Sequence, residues 1–159
     1  MRAIIRTMGR KMGAMKWFIL FLFACALARE HEPVALLRVV DGDTLIIAVD
    51  SRKERVRLWG IDAPEMSQSF GKQARDFLHS RCAGARVAIT RKGKDKYRRI
   101  LGIVFCNGEN MNEALVQSGF AWAYMRRKYV PLMESARKQR RGLWREKNPI
   151  EPKIWRGIQ

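Results

Sequence analysis

At 159 residues the chain has the length of one domain, and 32 Lys and Arg against 15 Asp and Glu leave it at +17. That charge favours a polyanionic partner such as nucleic acid or an anionic membrane surface, with a merely soluble cationic surface as the plain alternative. Two histidines and three cysteines are too few for a His-rich zinc site, and no Walker-type glycine loop, Cys-x-x-Cys pair or nucleophile elbow occurs.

The first 28 residues read as a targeting segment. Arg2, Arg6, Arg10, Lys11 and Lys16 form a basic stretch without an acid, Trp17 to Ala28 carries no charge, and Ala26-Leu27-Ala28 fits a small-x-small cleavage pattern. Met8, Met12 and Met15 are alternative starts, and Leu22-Phe23-Ala24-Cys25 is a weaker lipoprotein-like reading. The apolar run is shorter than the roughly 20 residues a membrane-spanning helix needs. Removal of residues 1–28 takes away only five positive charges, so the remaining domain, residues 29–159, stays strongly basic. The expectation is an exported protein, secreted or periplasmic, without a stable membrane span after processing.

From Val34 short strands follow one another. Val34 to Val40 stops at Asp41-Gly42, Leu45 to Val49 resumes, Ser51-Arg52-Lys53 turns the chain, and Val56 and Leu58 alternate with Arg55, Arg57 and Trp59 until Pro64 ends the ladder. The spacing of Ala74, Phe77, Leu78 and Cys82 predicts a helix over 72–82, with Gly84 as its stop. Val87 and Ile89 begin another strand, and Leu101 to Phe105 forms the next, ending at Asn107-Gly108, a hairpin signal. A second helix is expected over 112–118 before Gly119, and a third from Pro131 to Gly142. The tail, with Trp144, Pro149, Pro152 and Trp155, shows no regular period and should pack loosely by its tryptophans. Five strands and three helices make an α+β, mainly β chain, and a closed OB-fold barrel is the nucleic-acid-handling architecture of that size. In an exported chain Cys82 and Cys106 form an even pair, either bridged or two small buried hydrophobes.

Three clusters carry chemistry: Asp41-Gly42-Asp43-Thr44, Arg57 through Glu65, and Asp95-Lys96-Tyr97-Arg98-Arg99. Asp43 and Asp62 offer hard oxygens to a divalent cation such as Ca²⁺, a sparse pair that water and substrate oxygens would complete. The plain reading of each is a turn residue. Arg57 and Arg99 are permanently charged forks suited to phosphate; the alternatives are a solvent-facing strand position and one charge in a run of six cations from Arg91 to Arg99. Glu65 can deprotonate a water, or simply favour a helix N-terminus. The set is that of metal-assisted phosphodiester hydrolysis.

Taken together the clusters resemble the thermonuclease family, the staphylococcal nuclease-like (micrococcal nuclease) domain. The similarity runs from Val34 to Trp144 through Val-Asp-Gly-Asp-Thr at 40–44, Arg-Leu-x-Gly-Ile-Asp-Ala-Pro-Glu at 57–65, Asp-Lys-Tyr-x-Arg at 95–99 and Asn-Glu-Ala-Leu-Val at 112–116. The resemblance implies an OB-fold barrel with three helices and a Ca²⁺-dependent hydrolase of DNA and RNA that leaves 3′-phosphate ends. It implies Asp43 and Asp62 as calcium ligands, Arg57, Glu65 and Arg99 as the catalytic trio, Tyr97 beside the nucleotide phosphate, and Tyr124 as a base-stacking tyrosine. Ala63 stands where the best-known member has threonine, a tolerable change because that residue offers a backbone carbonyl. Arg98 stands where a glycine is usual, and if its φ is positive it strains the turn that places Arg99. The expected partner is nucleic acid, single-stranded regions favoured, and the expected state a monomer. The rival expectations are an OB-fold nucleic-acid-binding module without turnover and a cationic lipid-binding envelope protein, the latter lacking a basic amphipathic helix.

Overall fold

The computed structural model describes residues 31–125 and 127–158. The targeting segment expected over 1–28 lies outside the described residues. Strands β1 (Glu32–Val39), β2 (Thr44–Val49) and β3 (Arg52–Leu58) form an antiparallel meander. β1 also pairs with β5 (Val87–Lys94), and β5 pairs with β6 (Ile100–Cys106). The ring closes where β6 meets β3 in parallel, Val56 opposite Ile100. This is the five-stranded OB-fold barrel that the alternating pattern predicts. Closure removes the sheet's free edges. Short strands β4 (Ile61–Asp62), β7 (Glu109–Asn110) and β8 (Trp122–Ala123) complete the described strands, with β4 antiparallel to β8.

Inward-facing Leu45, Ile47, Val56, Leu58, Ile89, Ile100 and Val104 fill the barrel, the apolar half of each period-two strand. Helix α1 (Gly71–Cys82) covers one side with Ala74 and Leu78, and α2 (Met111–Gln117) covers another with Met111, Leu115 and Val116. Asn110 caps α2, its side-chain oxygen accepting the N–H groups of Asn112 and Glu113. Asn112 is fully buried yet satisfied: its Oδ1 accepts from Val104 N at 3.0 Å, and its Nδ2 donates to Trp59 O at 2.9 Å and Gly102 O at 3.2 Å. The amide therefore pins α2 to both β6 and the end of β3. Cys82, closing α1, is bonded to Cys106 at the end of β6, with 5.1 Å between their Cα atoms.

Several boundaries differ from the sequence pattern for local reasons. The second hairpin turns at Asp50 and Ser51, both at positive φ (47° and 64°), one residue earlier than expected. A two-residue turn of this hand matches the twist of the flanking strands. Helix α3 (Val130–Lys138) has Pro131 in its first turn as expected but ends before Gly142, where a 3₁₀ turn (Gly142–Arg145) follows. The tail corrects the expectation of three helices. Residues Pro152–Ile158 form α4, a fourth helix among the described residues, docked through Pro152 and Trp155. Its seven residues are too few to give a clear helical period in the sequence.

Candidate active site

Asp43 sits in the turn before β2, where Asp41 Oδ1 accepts its N–H at 3.0 Å. An added Cβ at Gly42 would lie 2.7 Å from the Cβ atoms of both Ala63 and Ala74, so only glycine lets this turn pack against α1 and the 61–65 segment. That contact brings Asp43 Oδ2 within 2.7 Å of Ala63 N, while Thr44 Oγ1 donates to Oδ1 at 3.1 Å. Arg57 lies opposite Thr44 in the β2–β3 ladder. Its guanidinium is thereby aimed at two acids: Nη1 is ion-paired with Asp43 Oδ2, and Nη2 is 2.6 Å from Asp62 Oδ1.

Burial pushes the Asp43 carboxyl up to about 6 against the pull of Arg57, and the nearby charges of Asp41 and Asp62 push the same way. For Arg57 burial opposes the cation, yet Asp43 and Asp62 outweigh it and hold the guanidinium more firmly protonated than usual. Asp41, Asp43 and Asp62 thus share one end of the cleft, with the Arg57 guanidinium between the last two. Among the described residues no three His, Cys, Asp or Glu side chains form a ready-made metal cluster. A divalent ion bound here would have two carboxylates, from Asp43 and Asp62, and would take its other oxygens from backbone, water or substrate. Such an all-oxygen set fits a hard cation of the calcium type.

Glu65 follows Pro64 in a turn fixed by a residue the sequence reading passed over. Gln68 N donates to Glu65 O at 2.8 Å, Glu65 N donates to Gln68 Oε1 at 3.2 Å, and Gln68 Nε2 donates to Ile150 O at 2.5 Å. A Cβ on Gly71 would stand 1.9 Å from Glu65 O, so a bare glycine at the start of α1 is what lets the Glu65 turn close onto the helix.

Arg99 enters from the opposite wall, just before β6. Asp95 organises it completely: Asp95 Oδ2 accepts Arg99 Nε at 2.7 Å, and Asp95 Oδ1 accepts the N–H groups of Tyr97 and Arg99, both at 2.9 Å. Arg98 in this turn has φ 64°, the strained conformation anticipated for a side chain at a glycine position. The turn keeps its shape because the Asp95 clamp and the backbone pair Asp95–Arg99 over-determine it.

Asp43, Arg57, Asp62, Glu65, Tyr97 and Arg99 all line one open cleft of about 810 Å³. Tyr97 is 68% exposed, with Arg99 5.6 Å from its ring centre. Lys53, Arg55, Lys96 and Arg98 make the rim cationic. Tyr124 is not among the lining residues. It accepts the N–H of Gly60 through its hydroxyl at 3.0 Å, between Arg57 and Asp62 in the chain. One further lining residue was missed: Arg156 of α4 contacts both Asp62 and Glu65. The only sequence signal for it is Pro152 at a helix start with Ile154 and Ile158 four apart.

The family model described as staphylococcal nuclease homologue matches residues 55–146. The chain belongs to that family. It is 37% identical over 153 residues to a Haemophilus influenzae protein named uncharacterized endonuclease, covering 93% of this chain and 86% of the relative. An Escherichia coli protein of the same name is 40% identical over 144 residues, covering 87% and 94%. A Shigella flexneri micrococcal nuclease is 39% identical over 138 residues, covering 76% and 78%. The family match spans Arg57, Asp62, Glu65, Tyr97, Arg99 and Tyr124 but ends before α4, so Arg156 lies outside it.

Proposed function

We propose that this protein is an exported, Ca²⁺-dependent nuclease that hydrolyses phosphodiester bonds of DNA and RNA and leaves 3′-phosphate ends. The observation that carries the reading is Arg57 spanning Asp43 and Asp62 in the cleft that Glu65 and Arg99 also line. Asp43 and Asp62 would hold the cation, whose chemistry at this place is to polarise a phosphate oxygen and offset its charge. Glu65 takes a proton from the attacking water as the new bond to phosphorus forms. The bond from phosphorus to the 5′-oxygen breaks, that oxygen takes a proton from solvent water to leave as a 5′-hydroxyl, and the phosphate stays on the 3′ side. Arg57 and Arg99 meet the non-bridging oxygens, stabilising the charge that grows there in the transition state. Neither can serve as a base, since guanidinium keeps its proton at any working pH.

The open cleft and the exposed ring of Tyr97 suit a strand whose bases are unpaired, because a ring stacks on any base without reading its edge. Export is supported by the basic-then-apolar start of the chain and by the Cys82–Cys106 bond, a linkage that persists in oxidising compartments. The processed protein is read as a monomer beginning at residue 29. Mass measurement of the N-terminus after expression in a bacterial host checks the processing site, and gel filtration checks the monomer.

The test is hydrolysis of single- and double-stranded DNA and of RNA with Ca²⁺ or with EGTA. Chelation should abolish turnover, and single strands should be cut faster. A pure binding module would instead show salt-sensitive affinity and release no ends.

A further inference from the structure

The acids proposed to hold the cation and to accept the water's proton already have a cation of the chain's own. Arg156 Nη2 lies 3.0 Å from Asp62 Oδ2, and Nη1 lies 3.3 Å from Asp62 Oδ1 and 2.6 Å from Glu65 Oε1. One guanidinium therefore spans both carboxylates, and Asp62 is shared between Arg57 and Arg156.

The helix that delivers this arginine is lightly held. α4 has seven residues and only Pro152 is buried, and so short a helix is not stable by itself. Ile154 and Ile158 are 55% and 70% exposed, so little apolar area fastens it down. Besides Arg156, its described anchors are a 3.4 Å contact from Trp155 Nε1 to Ser67 Oγ and the preceding Ile150 carbonyl on Gln68. The ion pairs to Asp62 and Glu65 are thus a main fastening, and they are made to the very groups that catalysis needs free.

We propose that α4 is an autoinhibitory latch: Arg156 neutralises Asp62 and Glu65 in the resting protein and gives them up when a divalent cation and a phosphodiester enter the cleft. The proposal deepens, and rests on, the reading of Asp62 as a cation ligand and Glu65 as the base. A divalent ion at Asp62 repels the guanidinium that neutralises the same oxygens, and an arriving phosphate offers it a new partner. Entry of ligand then costs the breaking of the latch, which weakens cation binding in the free protein.

Calorimetric titration of Ca²⁺ into the processed protein tests this, using the unaltered chain, Arg156→Ala, Lys153→Ala and Asp62→Asn. Hydrogen exchange of the 152–158 amides is followed with Ca²⁺ and a phosphorothioate oligonucleotide. Arg156→Ala should bind Ca²⁺ about two- to fivefold more tightly, the scale of a partly exposed ion pair. Lys153→Ala, which removes a neighbouring charge without such contacts, should match the unaltered protein. The α4 amides should exchange faster once both ligands are present. Unchanged or weaker Ca²⁺ binding in Arg156→Ala, with binding lost in Asp62→Asn, overturns the latch and leaves the calcium reading standing. No Ca²⁺ binding by the unaltered protein overturns both.

Discussion

At the scale of single residues, the Glu65 turn is held in place by neighbours with no charge of their own. Glu65 is positioned by Gln68 and by the room left at Gly71. Replacing Glu65 by Gln should lower kcat by about 10²- to 10⁴-fold with little change in nucleic-acid binding, as expected for loss of a general base. Gly71→Ala should lower kcat as well, through displacement of the Glu65 turn, and should do so without altering the charge of the cleft. Single-turnover rates and filter binding on the same variants separate the two effects. Arg98 carries the opposite lesson. Its positive φ costs on the order of 1 kcal/mol for a side chain, so Arg98→Gly should raise the urea midpoint slightly while leaving the Asp95–Arg99 clamp intact. The acids and arginines are legible in the sequence because hydrolysis of a phosphodiester limits which residue types can serve. Gln68, Gly71 and Arg156 are not, because a supporting contact can come from any residue the fold happens to bring near.

At the scale of elements, the barrel strands are readable because a half-buried strand must alternate, and because Asn107-Gly108 fixes its hairpin by turn chemistry. The second hairpin slipped by one residue, since Asp50-Ser51 adopts the mirror-image turn without a glycine. Helix α4 escaped notice for want of length. The 95–99 turn has a pH dependence of its own. Partial burial raises the Asp95 carboxyl, but the Arg99 side chain and the N–H groups of Arg99 and Tyr97 outweigh it and hold it below its ordinary 3.8. A depressed carboxyl contributes its stability fully above the ordinary value and loses it as pH falls through the depressed one. Protection of the Tyr97 and Arg99 amides, relative to the intrinsic exchange rate at each pH, should therefore be high near neutrality and fall only in acid below about pH 4. Loss of protection already at pH 6 would contradict the clamp. For α2, Asn112→Ala leaves Val104 N, Trp59 O and Gly102 O without their partner and should cost about 2–3 kcal/mol in chemical denaturation.

At the scale of the whole molecule, two features connect the domain to its setting. The Cys82–Cys106 bond ties α1 to the end of β6 across 24 residues, and a loop of that size is worth about 3 kcal/mol by restricting the unfolded chain. Cys82→Ser with Cys106→Ser should lower the melting temperature markedly, with the same loss on reduction of the unaltered protein. The chain's +17 charge, part of it carried on the cleft rim by Lys53, Arg55, Lys96 and Arg98, predicts affinity for nucleic acid that falls steeply with salt. Charge was visible at once in the sequence, but not its placement, since half the rim comes from β3 and half from the β5–β6 turn, and only barrel closure joins them. The account stands most directly on one assay: a single-stranded oligonucleotide incubated with the processed protein, its fragments identified by mass. With Ca²⁺ the account predicts fragments bearing 3′-phosphate, and none with EGTA or with Glu65→Gln over the same time. Fragments with 3′-hydroxyl ends, or equal cleavage after chelation and in Glu65→Gln, would contradict it.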